Sequence, residues 1–335
     1  MKKRILAMLL ASLMCLSLAA CGGDSAADNG SANDTPADTG ADAPAEGDGG
    51  SEDGASYKIA LLMSHQTNAF TNAVSAGARA KGEELGVEVE VFDGNQDQAT
   101  QNSQLEQCLN QGYNGILVEP VTVDGIAPAV KEANEQGIPV MTVVQKMTQQ
   151  DLAVAYRGGN DANAGRLQME KAVEMLGGKG NIALLYGPMG SDGQLIRKEG
   201  YDAVLADNPD VQVVFEETAN WVTEEALSLV ETWLSTGTEI NAIVAQNDSM
   251  ALGAQKAIED AGKQDDILVF GVDAVDDAIA AIAAGRLDGT VSQDASGQGA
   301  LGVETMVSYL NGEEVEPEAF TECIWIDSSN VADYQ

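Results

Sequence analysis

Basic residues, histidine, cysteine and long apolar runs are all scarce in this 335-residue chain. Only 17 lysines and arginines stand against 53 aspartates and glutamates, for a formal net charge of −36. Nucleic-acid binding rests on phosphate neutralisation, so that partner class is excluded. His65 is the single histidine. It follows Ser64, but adjacent strand residues point to opposite faces, so a Ser–His nucleophilic pair is not expected and His65 belongs at the rim of a crevice. Four cysteines are present, and neither Cys108 nor Cys323 has a histidine or cysteine at ligand spacing nearby. Two buried free thiols are expected there, with no disulfide and no metal. The dinucleotide fingerprint and the Walker lysine are also missing. The loop Gly187-Pro-Met-Gly190-Ser-Asp-Gly193 has the spacing Gly-x-x-Gly-x-x-Gly, between a strand and a helix, which is only a weak phosphate signal. No carboxylate pair stands out as glycosidic. An enzyme, and any cofactor, is therefore not expected; a lipid-anchored enzyme is the weakest reading.

The longest N-terminal apolar run, Ile5 to Leu18, follows Lys2, Lys3 and Arg4. It is shorter than the roughly 20 residues that a spanning helix needs. With the small residues after it, it reads as a secretory signal over 1–20. Cleavage after Ala20 alone would leave a free thiol. Leu18-Ala-Ala-Cys21 resembles the bacterial lipobox, which implies lipid on Cys21. The chain from Gly22 to Ser56 is mostly Gly, Ala, Ser, Asp, Asn and Glu, with two Thr, two Pro and no large apolar side chain. Such a segment cannot offset its ordering entropy, so a disordered acidic tether is expected over 21–56. The protein is then extracytoplasmic, held by lipid to the outer face of the cell membrane, with no other membrane contact.

Beyond residue 56 the pattern is regular. Strand-like runs fall at Tyr57–Met63, Val87–Phe92, Gly115–Val118, Pro139–Val144, Asn181–Tyr186, Val211–Glu216, Ala242–Ala245, Ile267–Val272 and Leu287–Ser292. Helical periods lie between them, as at Asn72–Leu85, Thr100–Gln111, Asp161–Leu176, Thr223–Leu234 and Asp276–Ala284. Alternation of this kind predicts α/β units with parallel sheets, and continuous apolar runs predict strands covered on both faces. Gly86, Gly112 and Gly137 sit just past helices, at cap positions. Gly299–Leu310 and Thr321–Ile326 form a last helix and strand. The stretch Ala245-Gln-Asn247-Asp248-Ser carries polar groups at a strand's carboxyl end, where open α/β sheets bind ligands. Asp248 reads as a helix cap, and Asn247 as a donor and acceptor for a hydroxyl-rich ligand.

Tyr57-Lys-Ile-Ala-Leu-Leu-Met-Ser64, Ala245–Ala254 and Phe270-Gly-Val-Asp273, in this order and spacing, resemble type I periplasmic sugar-binding proteins of the ribose-binding kind, over about 57–326. The resemblance implies two Rossmann-like lobes joined by a three-segment hinge, with crossings near Gly159, Gln293 and Glu322. The lobes would comprise 57–159 with 294–322, and 160–293 with 323–335. It implies a sugar or polyol bound by Ser64, Asn68, Phe70, Gln145, Arg197, Trp221, Asn247, Asp273 and Gln293, and delivery to an ABC permease by a monomer that closes around its ligand. A sensor kinase or chemoreceptor is the alternative partner. Each residue also has a plainer role open to it. Phe70 could fill the core, Arg197 could pair with Glu199 or Asp202 on a helix surface, and Asn247 and Asp273 could serve turns.

Departures from the family pattern matter as well. Where it has an Asp-Arg pair after the fourth strand, this chain has Val144 and Gln145. Two phenylalanines are replaced by Thr71 and Val272. The changes imply a wider pocket with fewer charged partners in one lobe. That argues against ribose and for a hexose, a deoxy-sugar, a cyclic polyol or a glycoside.

Overall fold

The computed structural model describes residues 56–335; the expected signal, the expected lipid site at Cys21 and the expected tether up to residue 55 lie outside them. Strands and helices alternate in the order β1 (Lys58–Met63), α1 (Ala69–Leu85), β2 (Glu88–Asp93), α2 (Gln98–Asn110), β3 (Gly115–Val118), α3 (Ala127–Glu135), β4 (Val140–Val143) and β5 (Tyr156–Gly159). There follow α4 (Asp161–Met175), β6 (Gly180–Tyr186), α5 (Asp192–Ala206), β7 (Val211–Thr218), α6 (Thr223–Ser235), β8 (Ala242–Ala245), α7 (Asp248–Asp260), β9 (Leu268–Asp273), α8 (Asp276–Ala283) and β10 (Gly289–Ser292). The chain ends with α9 (Ala295–Leu310), β11 (Glu318–Thr321) and β12 (Ile324–Asp327).

These elements build two six-stranded sheets, ordered β11-β5-β4-β3-β1-β2 and β12-β10-β9-β8-β6-β7. Every pairing is parallel except β10 with β12. The two-sided burial follows from the apolar runs. In β1, Ile59, Leu61 and Met63 pack with Val74, Val303 and Met306 of α1 and α9, while Ala60 and Leu62 pack with Leu105 and Val130 of α2 and α3. The same alternation divides β6, with Ile182 and Leu184 on one face and Ala183 and Leu185 on the other. Gly86 takes φ 70 as the left-handed cap of α1.

The chain passes between the sheets three times. Gly159 ends β5 before α4 crosses to the second sheet, Gln293 follows β10 before α9 returns, and Glu322 separates β11 from β12. The single last strand expected over Thr321–Ile326 is thus two strands in different sheets. β5 itself gave no sequence signal, because Tyr-Arg-Gly-Gly is not an apolar run. Arg157 is nonetheless buried there, donating to Thr305 Oγ1 at 2.8 Å and to the carbonyl of Glu316 at 2.9 Å.

Glycines set the closest helix contacts. A Cβ on Gly165 of α4 would lie 2.3 Å from the carbonyl oxygen of Arg197, and one on Gly200 of α5 would lie 2.6 Å from the nitrogen of Arg166. The pairing brings the two backbones together and so fixes the height of α5 over its sheet. Cys108 is buried, and burial pushes its thiol up to about 12. Cys323 is only half-buried, which corrects the expectation of two buried thiols: it sits at the last crossing, where its Sγ donates to the carbonyl of Asn160 at 3.6 Å.

Candidate functional site

A cleft of about 470 Å³ of empty space, partly open to solvent, lies where the carboxyl ends of both sheets meet. Its walls come from segments that follow β1, β3, β4 and β5 on one side, and β6 to β10 on the other. Asn68, Phe70, Gln145, Arg197, Trp221, Asn247, Asp273 and Gln293 all line it. Ser64 does not. It is buried, its N–H is spent on Glu119 Oε2 at 3.0 Å, and it borders a neighbouring depression with Gln96 and Met189. The alternation at the end of β1 turns the next residue, His65, into the cleft instead, buried and paired at 2.8 Å with Thr67 Oγ1.

Arg197 organises the floor. Its Nε donates to Asp161 Oδ1 at 2.8 Å, its Nη2 to Gln293 Oε1 at 2.7 Å, and its Nη1 to the carbonyl of Gln246. Gln293 Nε2 closes the ring by donating to Asp161 Oδ1 at 3.0 Å. The guanidinium is 5.5 Å from the centre of the Trp221 ring. Burial disfavours its charge, but Asp161 and Asp273 hold its pKa above the ordinary value. The side chain is therefore buried in a charge network and does not pair with Glu199 or Asp202 on a surface; Lys198 takes Asp202 at 2.7 Å.

Each lobe presents an asparagine fixed by a helix terminus. Asn68 caps α1 through Oδ1, which accepts from Thr71 N at 3.0 Å, and Asn247 caps α7 by accepting from Met250 N at 2.9 Å. Capping consumes the amide oxygen and leaves the NH2 group for a ligand. The division expected within Asn247-Asp248 is thereby corrected. Asn247 is both cap and cleft residue. Asp248 is the first helical residue and is fully buried, accepting from Thr290 Oγ1 at 2.7 Å and Val275 N at 3.0 Å. Burial raises its carboxyl to about 6 against these bonds.

Strain collects at the cleft. Val144, Trp221 and Asp273 have φ of 63°, 63° and 127°, which side chains with a Cβ rarely adopt. Asp273 is almost fully buried, and that burial, with Asp248 and Asp161 nearby, holds its carboxyl well above the ordinary range although Arg197 opposes the shift. Phe70 does both things open to it, packing with Val74 and Val144 while lining the cleft. Val272 packs with Ala164 and Val291 and does not line it, so that replacement does not bear on its width.

Three further residues line the cleft that were not expected there: Glu119, Asp161 and Gln298. Glu119 directly follows β3 as a buried carboxylate and accepts from Gln145 Nε2 at 3.3 Å, which restores a carboxylate to the lobe that was expected to have lost one. Asp161 read only as a helix start, and Gln298 fell just before the last expected helix, which in the structure begins earlier, at Ala295. The glycine loop is not a phosphate cradle. Gly187 N donates to Gln246 Oε1 and Gly190 N to Gln194 Oε1, both at 3.0 Å. A Cβ on Gly187 would lie 2.0 Å from the Trp221 ring, so the glycine lets the indole approach.

One bond spans the cleft directly. The Lys146 N–H, after β4, donates to Asp192 Oδ2, at the start of α5, at 2.8 Å. Burial pushes the Asp192 carboxyl from 3.8 to about 6, although that N–H pulls it down. Opening the cleft hydrates this group, so closure takes up a proton. The contribution to closure is complete below about pH 4 and is lost as pH rises through about 6. Ligand affinity is expected to fall by roughly tenfold or more across that window, and Asp192→Asn to flatten the fall. Titration calorimetry at several pH values checks this; an identical profile in the variant would contradict it.

Comparison with known proteins agrees with this geometry. Residues 59–314 match the periplasmic binding protein domain family. A xylitol-binding protein of Mycolicibacterium smegmatis is 37% identical over 225 residues, 67% of this chain; the chain spans 64% of that protein's length. The ribose import binding protein of Haemophilus influenzae is 30% identical over 266 residues, covering 79% of this chain and 90% of that protein. A solved ABC transporter solute-binding protein from Bacillus halodurans, with bound myo-inositol, superposes with a TM-score of 0.80 at 34% identity, over 83% of this chain and 96% of the other. The chain belongs to the periplasmic binding protein family.

Proposed function

We propose that this periplasmic binding protein captures a sugar or polyol in the inter-lobe cleft and delivers it to an ABC permease, without chemical turnover. One observation carries the reading: both sheets aim preorganised planar polar groups, Asn68 and Gln145 against Arg197, Asn247 and Asp273, into one buried cleft that also holds two aromatic rings. A cyclic or linear polyol has the matching surface, with hydroxyl edges for the amides and charges and an apolar face for Phe70 or Trp221. Ligand that touches both walls binds the closed form better than the open form and shifts the population towards it. The xylitol, ribose and inositol named for the relatives support this class. For the same reason the protein works outside the cytoplasm. Lipid at Cys21 would keep it at the membrane, with the acidic stretch before residue 56 as spacer.

Calorimetry against a panel of sugars and polyols is expected to find one bound at about micromolar or tighter, near 8 kcal/mol. Asp273→Asn, which suits a positive φ, is expected to cost roughly a hundredfold in affinity, and Trp221→Ala roughly tenfold. Circular dichroism of both should match the parent. Unchanged affinities would move binding out of the cleft. Cys21→Ala is expected to shift the protein from the membrane fraction to the medium or periplasm; an unchanged distribution would remove the anchor.

A further inference from the structure

The cleft is unbalanced in charge and in hydrogen bonding. Glu119, Asp161 and Asp273 line it, against Arg197 alone among lysines and arginines. Arg197 is bonded to Asp161, which uses its charge. Neither Glu119 nor Asp273 has an ion-pair partner within 4.0 Å among the described residues. Lys146, next to Gln145 in the chain, directs its Nζ to Glu318 at 2.9 Å. The imbalance has a visible origin: the position where the family pattern has an arginine holds Gln145, while Glu119 supplies a carboxylate beside it.

A second, independent observation points the same way. Gln298 is 1% exposed and lines the same cleft. Its Nε2 donates to the carbonyl of Gln293 at 2.9 Å, but its Oε1 has no hydrogen-bond partner. A buried acceptor left unmade costs about 1–3 kcal/mol, so a donor supplied from the cleft would recover that. The acceptors in surplus are thus the Glu119 carboxylate, the Asp273 carboxyl and one amide oxygen. The capping asparagines contribute donors, which suit hydroxyl oxygens. Beside Asp273, the adjoining groove carries Asp276, Asp277 and Asp294. Their field attracts cations to the mouth and repels sugar acids and sugar phosphates.

We infer that the ligand is a polyhydroxylated amine, an amino sugar or aminated polyol, whose ammonium group sits against Glu119 within reach of the surplus acceptors and whose hydroxyls meet Asn68 and Asn247. An ammonium has three donors and no acceptor. It neutralises a buried carboxylate that a neutral polyol would only hydrogen-bond, and charge-assisted bonds are about twice as strong as neutral ones. The inference rests on the sugar-or-polyol reading above and narrows it.

Titration calorimetry on the mature protein, with matched pairs, tests it: myo-inositol and an amino-deoxy-inositol, D-glucose and D-glucosamine, xylitol and 1-amino-1-deoxyxylitol. In at least one pair the amine is expected to bind at least tenfold tighter than its hydroxyl counterpart. Glu119→Gln, which keeps an acceptor for Ser64 N, is expected to erase that preference; Asp273→Asn, less directly placed, is expected to reduce it and serves if the first variant misfolds. Neutral members binding as tightly as, or tighter than, their amines in every pair would overturn the inference and leave the sugar-or-polyol reading standing. A preference that survives both variants would overturn it too. Binding of no compound of either kind would overturn both.

Discussion

The buried guanidinium of Arg197 is the interaction on which the rest of the site depends. A charge out of water survives only if it is paired and its donors are used, and here each use ties down a different segment. Asp161 lies just past the crossing at Gly159, and Gln293 is the crossing after β10. The Gln246 carbonyl lies just past the end of β8, and the Trp221 ring lies 5.5 Å from the guanidinium. One side chain thereby joins two hinge crossings, a strand terminus and an aromatic wall. The glycine contacts between α4 and α5 keep Arg197 and Asp161 within reach of each other. Polar residues near the hinge extend the network, since the carbonyl of Gln293 also accepts from Gln298 and from Thr321 at the third crossing.

Around this node the structure makes local folding devices serve binding. An asparagine that caps a helix has its side chain immobilised at the moment the helix forms, and Asn68 and Asn247 do this from opposite lobes. The strained backbones of Val144, Trp221 and Asp273 hold their side chains at angles that a relaxed strand end would not give. Ordering costs are thus met in folding, which leaves more of the contact energy for ligand. The loop at Gly187 shows how a motif can mislead: its N–H groups serve glutamines within the protein, and the missing Cβ makes room for an indole.

Much of this was legible in the sequence, for physical reasons. Short apolar runs alternating with helical periods read as strands covered on both faces, and β1, β3, β8 and β9 are such strands. Polar residues that interrupt such runs mark strand ends, which is how Asn247 stood out, whereas Asp273 was reached through the family resemblance. What escaped is equally specific. β5 is held by the interior hydrogen bonds of Arg157, a long-range arrangement with no local pattern. Glu119 follows an apolar run like any loop acid, and only the packing of β3 between β1 and β4 buries it. Asp248 looked like a cap because aspartate often is one, but its partners at Thr290 and Val275 are far along the chain. Ser64 and His65 differ by one position at a strand end, where a single step changes the face.

The most direct test of the account is Arg197→Met, which keeps much of the side-chain volume and removes the charge. Asp161 would be left buried without its cation, at a cost of about 3–5 kcal/mol. Chemical denaturation together with ligand titration measures both consequences at once. The variant is expected to be destabilised by about that amount and to bind no panel ligand. A variant that unfolds at the parent midpoint and keeps its ligand affinity would show that Arg197 is not the node that holds the cleft.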